Sequence, residues 1–401
     1  MSPKEYSPFT PGIPVPPDFF VGRGNEVTAL VEKAGAVAAG RLERVFLVGE
    51  RGIGKSSLAH YAALVAEERH RLLSLHVFLG GVTALEEMAH RVFERLLKDS
   101  IERPWHQQVR EFLGNHVRQV GLFGITLEFG ATPQELRHLV NDFVPALRNL
   151  LKALGEEKKG LMLILDDLNG LASSAEFAHW LKSQVDEMSI ARESVPLLLV
   201  LIGLPERRSQ LIRLQPSLAR IFDLVEVGTL ADQETREFFG RAFEKVNIKT
   251  AQDALNMLCR FSGGFPALAH EIGDATFKAD SDGVVNLPDA FAGVLAAADV
   301  IGRKYIEPAV YDAIRSARYR SILMKLARRP FEPEFTRKQA VASLDAPEKR
   351  VFDNFLEKMK RLGVMKTARE LGPGGYRFAN ELYYLFFWLE AQRAQRTKES
   401  D

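Results

Sequence analysis

Val45-Phe46-Leu47-Val48-Gly49-Glu50-Arg51-Gly52-Ile53-Gly54-Lys55-Ser56-Ser57-Leu58 is the stretch that decides the fold. An apolar run enters it, the pattern Gly-x4-Gly-Lys-Ser fills Gly49 to Ser56, and a helix-compatible run, Ser57-Leu58-Ala59-His60-Tyr61-Ala62-Ala63-Leu64, leaves it. The order is strand, phosphate-binding loop, helix. Its glycines let the backbone N–H groups of Gly49, Glu50, Arg51, Gly52, Ile53 and Gly54 turn toward one anion, while the helix that opens at Lys55, Ser56 and Ser57 adds its positive dipole end. Lys55 is placed to reach the outer phosphates and the Ser56 hydroxyl to ligate Mg2+. The implied ligand is a nucleoside triphosphate.

A second acidic segment supports that ligand. Leu161-Met162-Leu163-Ile164-Leu165 ends in Asp166-Asp167, an apolar strand delivering two carboxylates. Asp166 would hold Mg2+ directly or through water, and Asp167 would polarise an attacking water. Paired acids at a strand end also serve as a solvated turn or a helix cap, but beside a phosphate loop the metal-binding reading is the stronger.

The chain has 401 residues, 46% hydrophobic and 26% charged, which suits a globular protein of two or three domains. Its apolar stretches, such as Leu197 to Leu204, are strand-sized and fall short of the roughly 20 residues of a membrane span. The N-terminal residues lack the pattern of a secretion signal. A single cysteine, Cys259, forbids an intrachain disulfide and points to a reducing, cytoplasmic setting. The nine histidines show no metal-ligand spacing, and no Gly-x-Ser-x-Gly elbow occurs.

Residues 1–18 are too proline-rich for helix or central strand and read as an extended arm lying over the surface. Short apolar runs at Leu73 to Phe78, Leu161 to Leu165, Leu197 to Ile202 and Leu224 to Val227 alternate with helical segments, as in a parallel sheet covered on both faces. Val120 to Phe129 reads as a small inserted hairpin. From Asp232 the pattern turns helical, over 232–245, 250–262, 266–279 and 288–298, with Gly263-Gly264 as a stop. Helical patterns at 308–328, 336–343 and 347–362 then precede Val364 to Thr367, the turn Gly372-Pro373-Gly374-Gly375 and Tyr376 to Phe378, the order of a winged helix. The helix around Glu381 to Arg393 carries Leu382, Tyr383, Leu385, Phe386, Phe387, Trp388 and Leu389, so it is buried or meets a partner.

Taken together, these segments resemble the AAA+ and STAND branch of P-loop ATPases, within it the prokaryotic ATPases with a C-terminal winged helix and an origin-recognition-like architecture. The resemblance covers about residues 19–390. Phe20-Val21-Gly22-Arg23, followed by Glu26, resembles the segment that packs near adenine; Phe20 itself reads equally as a core aromatic. Gly49 to Ser56 and Leu161 to Asp167 match Walker A and Walker B, and Leu197 to Ile202 occupies the place of the sensor-1 strand. Arg220, in Ser217-Leu218-Ala219-Arg220-Ile221-Phe222, resembles an arginine finger acting on a neighbouring subunit or from the lid; among Arg207, Arg208 and Arg213 it also reads as one more surface arginine. Gly263-Gly264-Phe265-Pro266 is similar to the Gly-x-Pro motif of STAND lids, in which the proline contacts nucleotide.

The fold this implies is α/β: a P-loop NTPase parallel sheet with helices on both faces over residues 19–231, an all-helical lid over 232–300, a winged-helix domain over 301–395 and a tail at 396–401. The implied activity is hydrolysis of ATP with Mg2+. The sensor-1 strand ends at Gly203, without the family's Asn or Thr, and Asp166-Asp167 stands where faster motors have Asp-Glu, so hydrolysis is expected to be slow. No Asn-Lys-x-Asp guanine-reading segment is present, which favours adenine. Nucleotide state would then control assembly into a homo-oligomer and recruitment of a protein partner carrying an effector. Between Arg303 and Lys366, 16 Lys or Arg stand against 8 Asp or Glu, which keeps duplex DNA open as the other partner.

Overall fold

The computed structural model describes residues 6–13, 15–116, 120–121, 128–129, 132–155, 157–311, 313–328 and 332–400. The chain divides into two compact units, Pro16–Gly228 and a second that joins Met1–Val15 to Thr229–Asp401. Among the described residues no helix is long and apolar enough to cross a membrane.

The first unit is built on five parallel strands, β1 (Leu42–Gly49), β2 (Leu72–Phe78), β3 (Gly160–Asp166), β4 (Leu197–Gly203) and β5 (Asp223–Val227), in the spatial order β2-β3-β4-β1-β5. Every residue of β3, and all of β4 up to Ile202, is buried. Both faces of these strands are covered by helices, which is why their sequences are continuous apolar runs rather than alternating ones. After β1 the chain crosses to the far edge and works back, so β1 and β4 are neighbours although β2 and β3 separate them in sequence. At such a crossing the loops from the carboxyl ends of adjacent strands diverge, and a crevice opens there. The described ends of the expected hairpin pair as Val120 with Phe129 and Gly121 with Glu128, antiparallel; its turn, 122–127, lies outside the described residues. Helix Pro133–Asn141 starts where Thr132 and Glu135 form a capping box.

The second unit packs helices Asp232–Lys245, Gln252–Ser262, Pro266–Ala279 and Leu287–Ile301, close to the expected segments. The last continues into a wider helical turn, Gly302–Tyr311, which contains Pro308 and so replaces the start of the helix expected at 308. Helices Ala317–Ala327, Arg337–Ala342 and Phe352–Arg361 follow, with a three-stranded antiparallel sheet of β6 (Glu334–Thr336), β7 (Met365–Thr367) and β8 (Gly375–Phe378) in the order β6-β8-β7. The expected hairpin is therefore present, and it gains a third strand, β6, whose three residues are too few to leave a periodic signal.

On helix Glu381–Ser400 the side chains of Leu382, Tyr384, Leu385, Phe386, Phe387 and Ala391 are buried in this unit, while Tyr383, Trp388 and Leu389 are half-buried. The N-terminal arm is anchored there as well. Phe9 is 3% exposed and its ring lies 5.8, 6.1 and 5.0 Å from those of Phe238, Phe239 and Phe243.

Candidate nucleotide site

β1 ends in Gly49, and the loop beyond it turns through Gly52 (φ 77°) and Gly54 (φ 92°), left-handed conformations that suit glycine. Ile53 pins the loop from beneath at 2% exposure, while Glu50, Arg51 and Gly52 face solvent. Helix Lys55–His70 begins at once, with Ser57 buried and Lys55 and Ser56 half-buried. The Lys55 ammonium donates to the carbonyls of Gly49 at 2.9 Å and Glu50 at 2.8 Å, so the side chain lies along the loop instead of extending into solvent. Burial lowers its pKa, against the opposing pull of Asp166, Asp167 and Glu50.

Asp166 closes β3 at 4% exposure. Its Oδ2 accepts from His76 Nε2 at 2.9 Å, the imidazole arriving from β2. Asp167 sits at φ 61°, the left-handed region that Asp tolerates better than most residues, and so turns its carboxylate out of the strand direction. The Asn169 amide donates to Asp167 Oδ1, and a Cβ at Gly80 would meet Asp167 Oδ2 at 2.9 Å. Arg207 Nε in turn donates to Asn169 Oδ1 at 3.3 Å, and its Nη1 to Gln210 Oε1 at 2.9 Å. A polar chain thus runs from helix Pro205–Leu214, just beyond β4, to the second carboxylate. Gly203 occupies the strand end, as the sequence has it.

Of Phe20, Val21, Gly22 and Arg23, it is Arg23 that bonds to the same loop, while Val21 is buried. Arg23 is 6% exposed, at φ 62°, and its Nη2 donates to the Ile53 carbonyl at 3.1 Å. Its guanidinium therefore braces the loop backbone. Phe20 stacks on Tyr61 at 4.6 Å with 7° between the rings, so it takes part in an aromatic pair on the face of the helix that follows the loop. Arg220 is exposed on the short helix Leu218–Ile221. Pro266 opens helix Pro266–Ala279 in the other unit, after Gly263 (φ 56°) and Gly264 (φ 72°).

Three residues around the carboxylates, His76, Asn169 and Arg207, were not among those the sequence singled out. Of these only His76 left a signal: an imidazole inside the otherwise apolar Leu75-His76-Val77 of a largely buried strand needs a polar partner. Asn169 and Arg207 sit in a loop and on a polar helix, where such residues are ordinary.

The donor set fits a magnesium–phosphate group. A cradle of backbone N–H groups at a helix N-terminus, a lysine, a hydroxyl and a buried carboxylate are hard donors and anion binders. Among the described residues no group of three or more His, Cys, Asp or Glu is arranged around one point, so a metal here would draw most of its ligands from phosphate and water, as Mg2+ commonly does. A cavity of about 510 Å³ elsewhere in this unit, beside Arg148, Lys152 and Ile190, is a poorer candidate, since Lys152 is already bonded to Glu193 at 2.7 Å.

Residues 20–214 match the AAA ATPase domain family. No curated protein matches the chain. Among solved structures, the ORC2 protein of Aeropyrum pernix in its ADPNP–ADP complexes is similar at TM-score 0.60 and 13% identity, over 99% of this chain and 98% of that one. A Walker-type ATPase of Pyrococcus abyssi is similar at TM-score 0.52 and 18% identity, over 92% of this chain and 96% of that one. At these identities the likeness is one of fold, and it extends beyond the matched domain to nearly the whole chain. Residues 20–214, which carry the phosphate loop and the buried carboxylate, are thus an AAA ATPase domain, and the chain as a whole is similar in fold to an origin-recognition ATPase.

Proposed function

We propose that this ATPase is a slow, nucleotide-controlled switch whose ATP-bound state assembles into a homo-oligomer and recruits a partner. The observation that supports it best is that Lys55, Asp166 and Asp167 stand at the carboxyl ends of two parallel strands, β1 and β3, of one sheet, with a glycine where β4 ends. Lys55 would exchange the carbonyls of Gly49 and Glu50 for the outer phosphates, Ser56 and Asp166 would hold Mg2+, and the loop N–H groups would hold the phosphate chain. Bound Mg2+ offsets the negative charge of the phosphates. Asp167, oriented by Asn169, would accept a proton from the attacking water; its side chain is one carbon shorter than the glutamate of faster motors and reaches that water less well. Arg220, exposed, is available to the nucleotide of a neighbouring subunit. Phe20, Val21 and Gly22 flank the base, and Pro266 reads nucleotide state for a lid formed by 232–300, which passes it to a winged helix formed by 301–395. The A. pernix ORC2 protein, similar in fold, is described in complexes with ADPNP and ADP, which favours an adenine nucleotide.

A second reading, assembly on duplex DNA, rests on the exposed Arg315, Arg318, Lys338, Lys349, Arg350 and Arg361. Several other cations of that segment are engaged internally: Arg337 with Asp353 at 2.9 Å, Lys325 with Glu348 at 2.6 Å, and Lys360 with Glu357 at 2.5 Å. That internal pairing favours the protein-recruiting switch. Titration of ADP and of a non-hydrolysable ATP analogue into wild type and Lys55→Ala, with turnover measured alongside, tests the proposal. Binding lost in the variant and a turnover below about 1 per second, the low end of common enzyme rates, is expected. Many turnovers per second from the isolated chain would contradict the slow switch.

A further inference from the structure

β2 reads Leu72-Leu73-Ser74-Leu75-His76-Val77-Phe78, and its parallel register sets His76 beside Ile164 and Phe78 beside Asp166. Residues two apart share a face of the sheet, so His76, Phe78, Ile164 and Asp166 project to the same side. There His76 Nε2 approaches Asp166 Oδ2 to 2.9 Å, with the two side chains 9% and 6% exposed. A carboxylate only accepts, so the imidazole N–H is the donor. The Phe78 ring stacks on the imidazole at 4.6 Å and 21°, and His60, on the helix that follows the phosphate loop, lies 6.4 Å away. Phe78, itself exposed, covers one face of the imidazole, which points one nitrogen at one oxygen.

We infer that His76 is a positioning residue for the metal-facing carboxylate: it fixes the orientation of Asp166 from the neighbouring strand and so tunes the affinity of the site for Mg2+. This rests on the reading of Asp166 as the metal-facing group. An apolar residue would fill the same place in the strand without the cost of burying a polar ring, a cost that the hydrogen bond to Asp166 offsets. Outer partners that orient a ligating group typically change metal affinity by about 10–100-fold when removed. Asp166 has few other means of orientation, because it ends its strand and is followed at once by the left-handed turn at Asp167.

The test uses the full chain as wild type, His76→Phe, His76→Gln and Asp166→Asn. A non-hydrolysable ATP analogue is titrated calorimetrically in EDTA and again across a Mg2+ series, giving the metal-free affinity and the Mg2+ concentration at half-effect. His76→Phe keeps the ring stack and loses the donor; its Mg2+ midpoint is expected to rise about tenfold with metal-free affinity unchanged. His76→Gln keeps an N–H donor at similar reach and is expected to stay near wild type. His76→Met, unbranched and without a donor, takes the place of the Phe variant if the latter does not fold. A wild-type midpoint in His76→Phe or His76→Met, with a raised one in Asp166→Asn, overturns the role of His76 alone. An equal loss with and without metal also overturns it, since that is damage to the fold. An unmoved midpoint in Asp166→Asn removes the reading of Asp166 itself.

Discussion

Replacing Phe9 by alanine should release the N-terminal arm and loosen the helices it fastens. The ring is 3% exposed, lies edge-on to Phe238 and Phe243, and meets the His270 ring at 6.3 Å, while the next residue, Thr10, donates its N–H to His270 Nδ1 at 3.0 Å. The approach is close enough that a Cβ on Gly273 would stand 2.2 Å from the ring. Full truncation of a buried Phe costs about 3–5 kcal/mol. An arm near a chain end can undock and spare part of that cost, so about 3 kcal/mol is the expected loss of local stability. At about 1.4 kcal/mol per factor of ten, amide hydrogens of Asp232–Lys245 and Pro266–Ala279 should exchange about a hundredfold faster, with little change in Lys55–His70. Gly273→Ala, which crowds the ring out, should reproduce the pattern. A change below about 1 kcal/mol in both variants would show that burial of Phe9 does not fasten this unit, and refute the reasoning.

Other outcomes follow from single groups. Burial depresses His270 from 6.5 to about 4, so the unfolded chain binds its proton first; stability is whole above the unfolded value and is lost as pH falls from 6.5 toward 4, by roughly 2 kcal/mol between pH 7 and 5 in denaturant melts. A His270→Gln chain should lose most of that dependence. Gly264→Ala places a Cβ 2.3 Å from the Leu230 carbonyl at φ 72° and should cost about 1–3 kcal/mol in the same melts. Asn169→Ala releases Asp167 from its orienting bond and should lower kcat about 10–100-fold with KM little changed, read from steady-state hydrolysis; a raised KM with kcat unchanged would mean that Asn169 serves binding. Neutralising Lys358, Lys360 and Arg361 together should leave duplex affinity unaltered for a protein-recruiting switch and weaken it in a salt-dependent way for a DNA-assembled one.

Where the chain makes its own local structure, the sequence was legible. Gly49 to Ser56 specifies strand, loop and helix through glycine conformation and a helix start, and the helices beginning at Asp232 and Pro266 announce themselves by an acidic first turn and by proline. Where structure depends on partners distant in sequence, it was not. β6 is three residues long and exists because β8 is there to pair with it. Pro308 would forbid an ordinary helix interior, yet the chain stays helical through a widened turn. Phe9 sits among prolines that exclude regular structure, but nothing local reveals that its ring fills a gap between helices more than two hundred residues on. The same holds at the nucleotide site. Lys55 and the two aspartates belong to contiguous motifs, whereas His76 reaches Asp166 from within β2 and Arg207 reaches Asn169 from the helix after β4, so only the sheet order β2-β3-β4 brings them together.

The most direct measurement is the mass of the particle by light scattering, for wild type and Lys55→Ala, each with ADP and with a non-hydrolysable ATP analogue, with and without duplex DNA. A nucleotide-gated switch gives growth beyond the 44.9 kDa monomer in the ATP analogue only, absent in Lys55→Ala. Dependence of that growth on DNA would favour assembly on the duplex. A wild-type chain that binds the analogue yet keeps the same mass in every condition would contradict nucleotide-controlled assembly.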